Sequence, residues 1–96
     1  MTPLFSTGPI VATPGALKVM ADACVDAQEL LRRHLSGDWG DVGEEDAEAN
    51  RAAISDGSRI LSAYTLRHGT RVWIITDAEV EPGQRYATTF LLPEEY

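Results

Sequence analysis

Apolar positions change their period once along this chain, near residue 58. Before that point they recur at helical spacing. Leu17, Met20, Ala21 and Cys24 form a first stripe, preceded by Thr13-Pro14, a capping residue followed by proline at a position that needs no N–H. Leu30, Leu31, His34 and Leu35 form a second stripe. Asp26 and Glu29 stand at capping-box spacing ahead of it, with Val25 and Leu30 placed as a hydrophobic staple. Arg32 and Arg33 suit the negative end of that helix and Gly37 stops it. Asp41 and Glu44 repeat the capping-box spacing and open a third helix that Gly57 terminates. Its apolar stripe is thin: Val42, Ala49, Ala53 and Ile54. It is expected on the surface with its acids in water.

After residue 58 the pattern is that of strands. Residues 59–66, 71–76 and 85–92 are rich in β-branched and aromatic side chains. His68-Gly69 supplies a two-residue hairpin turn, which sets Tyr64 beside Trp73 and Ala63 beside Ile74. Leu61, Ala63, Val72 and Ile74 then share one face, and Ile60, Tyr64, Trp73 and Ile75 the other, so both faces call for cover. Residues 77–83 read as a loop, and Gly8 to Ala12 as a short edge strand that Pro9 limits. The expectation is one α+β domain over residues 1–96: helices at about 14–24, 27–36 and 42–55, an antiparallel sheet at about 59–66, 71–76 and 85–92, and a short N-terminal strand within 9–13.

Composition narrows the class. A hydrophobic fraction of 44% and a charged fraction of 24% are those of a folded globule. The longest apolar runs, such as Val72 to Ile75, are far too short for a bilayer, and the first residues lack a secretory pattern, so a cytoplasmic location is expected. Cys24 is the only cysteine. It forms no internal disulfide and is expected as a small buried hydrophobe.

The formal charge of -7 opposes general nucleic-acid binding. It is also uneven. Residues 37–56 hold seven acids against Arg51 alone, leaving the remainder within one charge of balance.

Catalytic and metal patterns are absent from the sequence. From Asp38 the sixth residue is the Gly43 an EF-hand needs, but its third, fifth and twelfth positions are Gly40, Val42 and Ala49. A Cys24/His34/Asp38 grouping matches no nucleophile spacing. Neither a P-loop nor a dinucleotide fingerprint occurs, so no cofactor is expected. Residues 14–36 imitate a helix-turn-helix, yet Glu29 and the following acids oppose DNA.

The segments His34-Leu35-Ser36-Gly37-Asp38-Trp39-Gly40-Asp41, Arg59-Ile60-Leu61-Ser62-Ala63-Tyr64, Trp73-Ile74-Ile75-Thr76 and Thr88-Thr89-Phe90-Leu91-Leu92-Pro93-Glu94-Glu95-Tyr96 together resemble a family of small proteins of bacterial plasmids, phages and integrative elements, labelled plasmid-related. The chain departs from that pattern at residues 79–85, where its link is longer. Some relatives carry a restriction-modification label, but no Asn/Asp-Pro-Pro-aromatic motif occurs in this chain. The resemblance implies mobile-element company, in which inhibitors of host CRISPR or restriction systems are common.

The leading expectation is therefore a non-enzymatic protein-binding module. Its partner-binding residues would be Asp38, Trp39, Asp41, Glu44, Glu45, Asp46 and Glu48, with Trp39 as an apolar anchor or as a core plug below the loop. The partner would be a protein with a basic surface. Two alternatives stand beside it: a small enzyme or toxin using Asp38, Asp41 or His34 in a cleft, and a homo-oligomeric accessory protein.

Overall fold

The computed structural model describes residues 2–96. Three helices precede most of the sheet: α1 (Pro14–Asp22), α2 (Ala27–Leu35) and α3 (Glu44–Asp56). Six strands are present among the described residues: β1 (Ile10–Ala12), β2 (Ile60–Thr65), β3 (Arg71–Thr76), β4 (Glu79–Glu81), β5 (Gln84–Arg85) and β6 (Thr88–Leu91). The fold class is α+β, as the change of period implies. The main sheet runs β1-β6-β3-β2, with β1 parallel to β6 and the other pairs antiparallel. It is thus a mixed sheet. The segment read as a loop at 77–83 contains β4, which forms a two-stranded ribbon with β5, and the strand expected over 85–92 is interrupted at Tyr86-Ala87.

The helix starts follow their caps. Thr13 Oγ1 accepts from the Ala16 N–H at 3.0 Å, and Asp26 Oδ1 from the Gln28 N–H at 2.9 Å. The third helix starts later than its acidic spacing suggests. Its cap is Gly43, with no side-chain capping bond, because Asp41 is engaged elsewhere. The buried stripe of α1 is Ala16 and Met20, continued by Ala23; of the expected stripe Met20 alone is buried, and Ala21 is exposed. Leu17 and Cys24 are exposed. Cys24 lies just beyond the helix with φ +56°, and that left-handed exit turns it outward while Ala23 fills the core.

The hairpin register also differs from the two-residue turn. Leu66 to Thr70 form the connection, closed by the Leu66 N–H donating to the Thr70 carbonyl at 2.6 Å, with His68 and Gly69 both at positive φ. Ala63 therefore faces Trp73, and Tyr64 faces Val72. A one-residue shift moves every side chain of one strand to the opposite face of its partner. Ile60, Ser62, Tyr64, Val72, Ile74, Thr76, Thr88 and Phe90 now share one almost fully buried face. Ala16, Met20 and Leu30 of α1 and α2 cover it around Tyr64, Val72, Ile74 and Phe90. The opposite face carries Leu61, Ala63, Trp73, Ile75 and Leu91, where Tyr96 folds back edge-on to Trp73 with ring centroids 5.7 Å apart.

The outer edge of β2 has no strand beside it, yet its backbone groups are paired. Asn50 of α3 donates from Nδ2 to the Leu61 carbonyl at 2.7 Å and accepts at Oδ1 from the Leu61 N–H at 3.0 Å. One residue pair further, the Ala63 N–H donates to the Trp39 carbonyl at 3.0 Å, and the Asp41 N–H donates to the Ala63 carbonyl at 2.7 Å. Between them Gly40 has φ +72°, and a Cβ there would drive into the Ala63 carbonyl.

Gly40→Ala is expected to lose about 2 kcal/mol or more, from positive φ and steric conflict together. Asn50→Ala should lose about 2–3 kcal/mol by stranding a buried donor and acceptor. Denaturant unfolding of each variant measures both losses.

Candidate functional site

The acidic segment begins as part of the scaffold. Arg33 Nε donates to Asp38 Oδ2 at 2.7 Å and its Nη2 to Oδ1 at 3.3 Å. This hydrogen-bonded pairing, together with a bond from the Gly40 N–H, holds the Asp38 carboxyl below the usual range against a smaller opposing effect of burial. Tyr64 donates its hydroxyl to the Asp38 carbonyl at 2.7 Å, and the Arg33 guanidinium lies 4.6 Å from the centre of the Tyr64 ring. Burial pushes the Tyr64 hydroxyl up to about 12. Asp41 Oδ2 accepts from the Thr65 hydroxyl at 2.6 Å.

Trp39 is 7% exposed and packs with Ala53 and Ile60, beside Phe5 at a centroid distance of 6.3 Å. It is a core residue, so it offers no exposed apolar anchor to a partner. The free negative surface begins further on. Glu44 is exposed but pairs with Arg51 at 3.1 Å. Glu45, Asp46 and Glu48 are exposed, and none of them forms an ion pair among the described residues. Glu44 and Glu48 project from the side of α3 opposite Asn50 and Ala53, which face the body; Glu45 leaves from the flank, and Asp46 stands in the exposed first turn on the row of Asn50 and Ala53. The structure thus divides the seven sequence-selected residues. Asp38, Trp39 and Asp41 brace the edge of β2, whereas Glu44, Glu45, Asp46 and Glu48 line the solvent side and first turn of α3.

His34 occupies a different environment. It is fully buried, with Nδ1 2.6 Å from Ser62 Oγ and Nε2 2.9 Å from Thr76 Oγ1. Thr76 Oγ1 lies 2.8 Å from Thr88 Oγ1, which donates to the Thr7 carbonyl at 2.8 Å. That last bond orders the rest. A carbonyl only accepts, so the single hydroxyl proton of Thr88 points to Thr7, and Thr88 accepts from Thr76. Thr76 then accepts from His34, which must carry its proton on Nε2, and Nδ1 accepts from Ser62. The chain is fully satisfied only with a neutral imidazole. Burial, reinforced by the charge of Arg85, pushes His34 down to about 3.

Arg85 is a residue that spacing alone does not single out. It is 4% exposed and has no carboxylate partner among the described residues. Its Nη1 donates to the carbonyls of Ser58 at 2.6 Å and Asp77 at 3.2 Å, and its Nη2 to the Ala53 carbonyl at 3.1 Å. The cation thereby meets the negative end of α3. Its centre lies 5.6 Å from the Phe5 ring, and its buried Nε–H has no partner among the described residues. The sequence-level signals for this polar core are Ser62, Thr76 and Thr88 interrupting apolar strands, and a histidine on an apolar helix stripe.

Concavities mark the surface away from these residues. One is lined by Val19, Asp22, Ala23, Arg67, His68 and Thr70, another by Pro3, Gln28, Leu31, Arg32 and Leu35. Neither contains His34, Asp38 or Asp41. Among the described residues no three His, Cys, Asp or Glu side chains converge as a metal site, and no helix is long and apolar enough to cross a membrane. No family model, curated protein or solved structure matches this chain.

The neutral His34 makes stability depend on pH in a definite sense. The unfolded chain protonates this histidine near its ordinary value of 6.5, whereas the folded chain resists until about 3. Its contribution is complete above about 6.5 and is lost as pH falls, at about 1.4 kcal/mol per pH unit, down to about 3. Unfolding free energies measured at pH 7, 6 and 5 test this, and imidazole ¹⁵N shifts at pH 5 should report a neutral ring protonated on Nε2.

Proposed function

We propose that this chain is a non-enzymatic protein-binding module that presents the acidic N-terminal turns of α3 to a protein with a basic surface. The observation that carries this reading is the state of Glu45, Asp46 and Glu48: exposed, without ion pairs among the described residues, and borne on a helix clamped to the sheet by Asn50 and to the β4–β5 ribbon by Arg85. Negative side chains on a clamped helix face water already oriented, so a partner's cations meet a fixed field. Encounter is steered over roughly the Debye length, about 8 Å at physiological salt. The resemblance to plasmid-related proteins supports a partner among host defence complexes, whose nucleic-acid grooves are basic, and an action in the cytoplasm.

The reading as an enzyme or toxin has less support. It requires a shifted group in an accessible cleft, and the strongly shifted His34 is sealed from solvent.

The triple variant Glu45→Lys, Asp46→Lys, Glu48→Lys tests the proposal. Its unfolding free energy should fall by only about 1–3 kcal/mol, because the three side chains make no tertiary bond but Glu45 and Asp46 stand in the first turn, where lysines oppose the helix dipole. Affinity capture from a bacterial host should yield a basic protein with the parent chain at low salt. Capture should fall at least about tenfold with the variant, and with the parent at high salt. Equal recovery of that protein by parent and variant would remove α3 as the docking face.

A further inference from the structure

The main sheet has two edges, and the chain treats them differently. The outer edge of β2 is closed at Leu61 and Ala63 by Asn50 and the 39–41 loop. The outer edge of β1 is bare. Toward β6, the Pro9 carbonyl accepts from the Thr88 N–H at 2.9 Å, and the Thr13 N–H donates to the Phe90 carbonyl at 3.0 Å. Strand alternation then turns the N–H and carbonyl groups of Ile10 and Ala12 away from β6, and no hydrogen-bond partner meets them among the described residues. Ile10 and Val11 are each 50% exposed.

We propose that β1 is the docking edge for a second copy of this chain, joined antiparallel about a two-fold axis through Val11. The unpaired groups are self-complementary about that axis. Ile10 of each copy meets Ala12 of the other and exchanges both bonds, which makes four hydrogen bonds, while the two Val11 side chains face each other in the close, non-hydrogen-bonded position. The result is one continuous sheet of eight strands in the order β2-β3-β6-β1-β1-β6-β3-β2.

Charge argues for a second copy over a basic partner at this edge. Residues 2–17 contain no ionisable side chain, although the chain as a whole carries -7. A carboxylate does reach its end, where Glu95 Oε1 accepts from the Thr13 hydroxyl at 2.7 Å, but the strand's own side chains offer a basic protein no charge. Two like-charged copies meet there with their concentrated acids, residues 37–56, on the closed edge of each sheet. The edge is only three residues long and Pro9 bounds it, so the association is expected in the micromolar range or weaker.

Analytical ultracentrifugation of the full chain across a concentration series is the test. The expected result is a rise from 10.5 kDa toward twice that mass, with amide exchange at Ile10 and Ala12 slowing as concentration rises. Val11→Asp places two carboxylates on the axis and should weaken dimerisation at least tenfold. Ile10→Pro removes an outward N–H that the β1–β6 pairing does not use, and should do the same while leaving the helical circular dichroism intact. Added salt should strengthen the dimer by screening like charges, the opposite of its effect on capture through α3, so the two proposals fail separately. A 10.5 kDa species at every concentration up to about 1 mM, or a dimer indifferent to both substitutions, overturns the proposal.

Discussion

Leu61 and Ala63 lie on the outer edge of β2 with backbone groups that need partners, and the chain supplies no strand to provide them. The answer is a composite edge: one carboxamide from α3 and three residues of an irregular loop. A buried strand edge left open would strand donors and acceptors at about 1–3 kcal/mol each. Its closure determines where α3 sits, where Trp39 plugs the core, and why Gly40 must lack a Cβ. Arg33 and Tyr64 hold the same loop from the other side, through Asp38. The first acids of the charged block are therefore spent on architecture.

The interior behind this edge is polar as well as apolar. Ser62, His34, Thr76 and Thr88 form a directed chain of hydrogen bonds ending on the N-terminal segment. Arg85 brings an unneutralised cation to the end of α3. The two are coupled, because the guanidinium charge reinforces the exclusion of a proton from His34. Such a network specifies one arrangement, since sliding any strand by one residue breaks several links at once. The same network ties Thr7 to the sheet, and with the Thr88 N–H bonded to the Pro9 carbonyl it places β1 beside β6 and leaves its far side open.

Seen together, the sheet has one edge closed by the acidic segment and one open edge whose own strand carries no charged side chain. The exposed carboxylates of α3 lie beyond the closed edge. On the two proposals above, this separation would let one small domain meet a basic protein and a second copy of itself with opposite dependence on salt.

Much of the fold was legible from residue pattern. The change from helical to strand period near residue 58, the caps at Thr13 and Asp26, and the stops at Gly37 and Gly57 reflect local backbone chemistry, which acts over a few residues. So does the concentration of acids in residues 37–56. Facing, pairing and burial were decided by the assembled structure. The five-residue hairpin connection shifted every cross-strand pair, and a left-handed exit from α1 turned Cys24 outward. Asp41 bonded Thr65 instead of capping α3, and Trp39 went inside. In each case the deciding partner is distant along the chain, and hydrogen-bond demand at a sheet edge is a property of strands that have already met. Composition placed the negative charge; only packing separated the carboxylates that hold the fold together from those left free to meet another molecule.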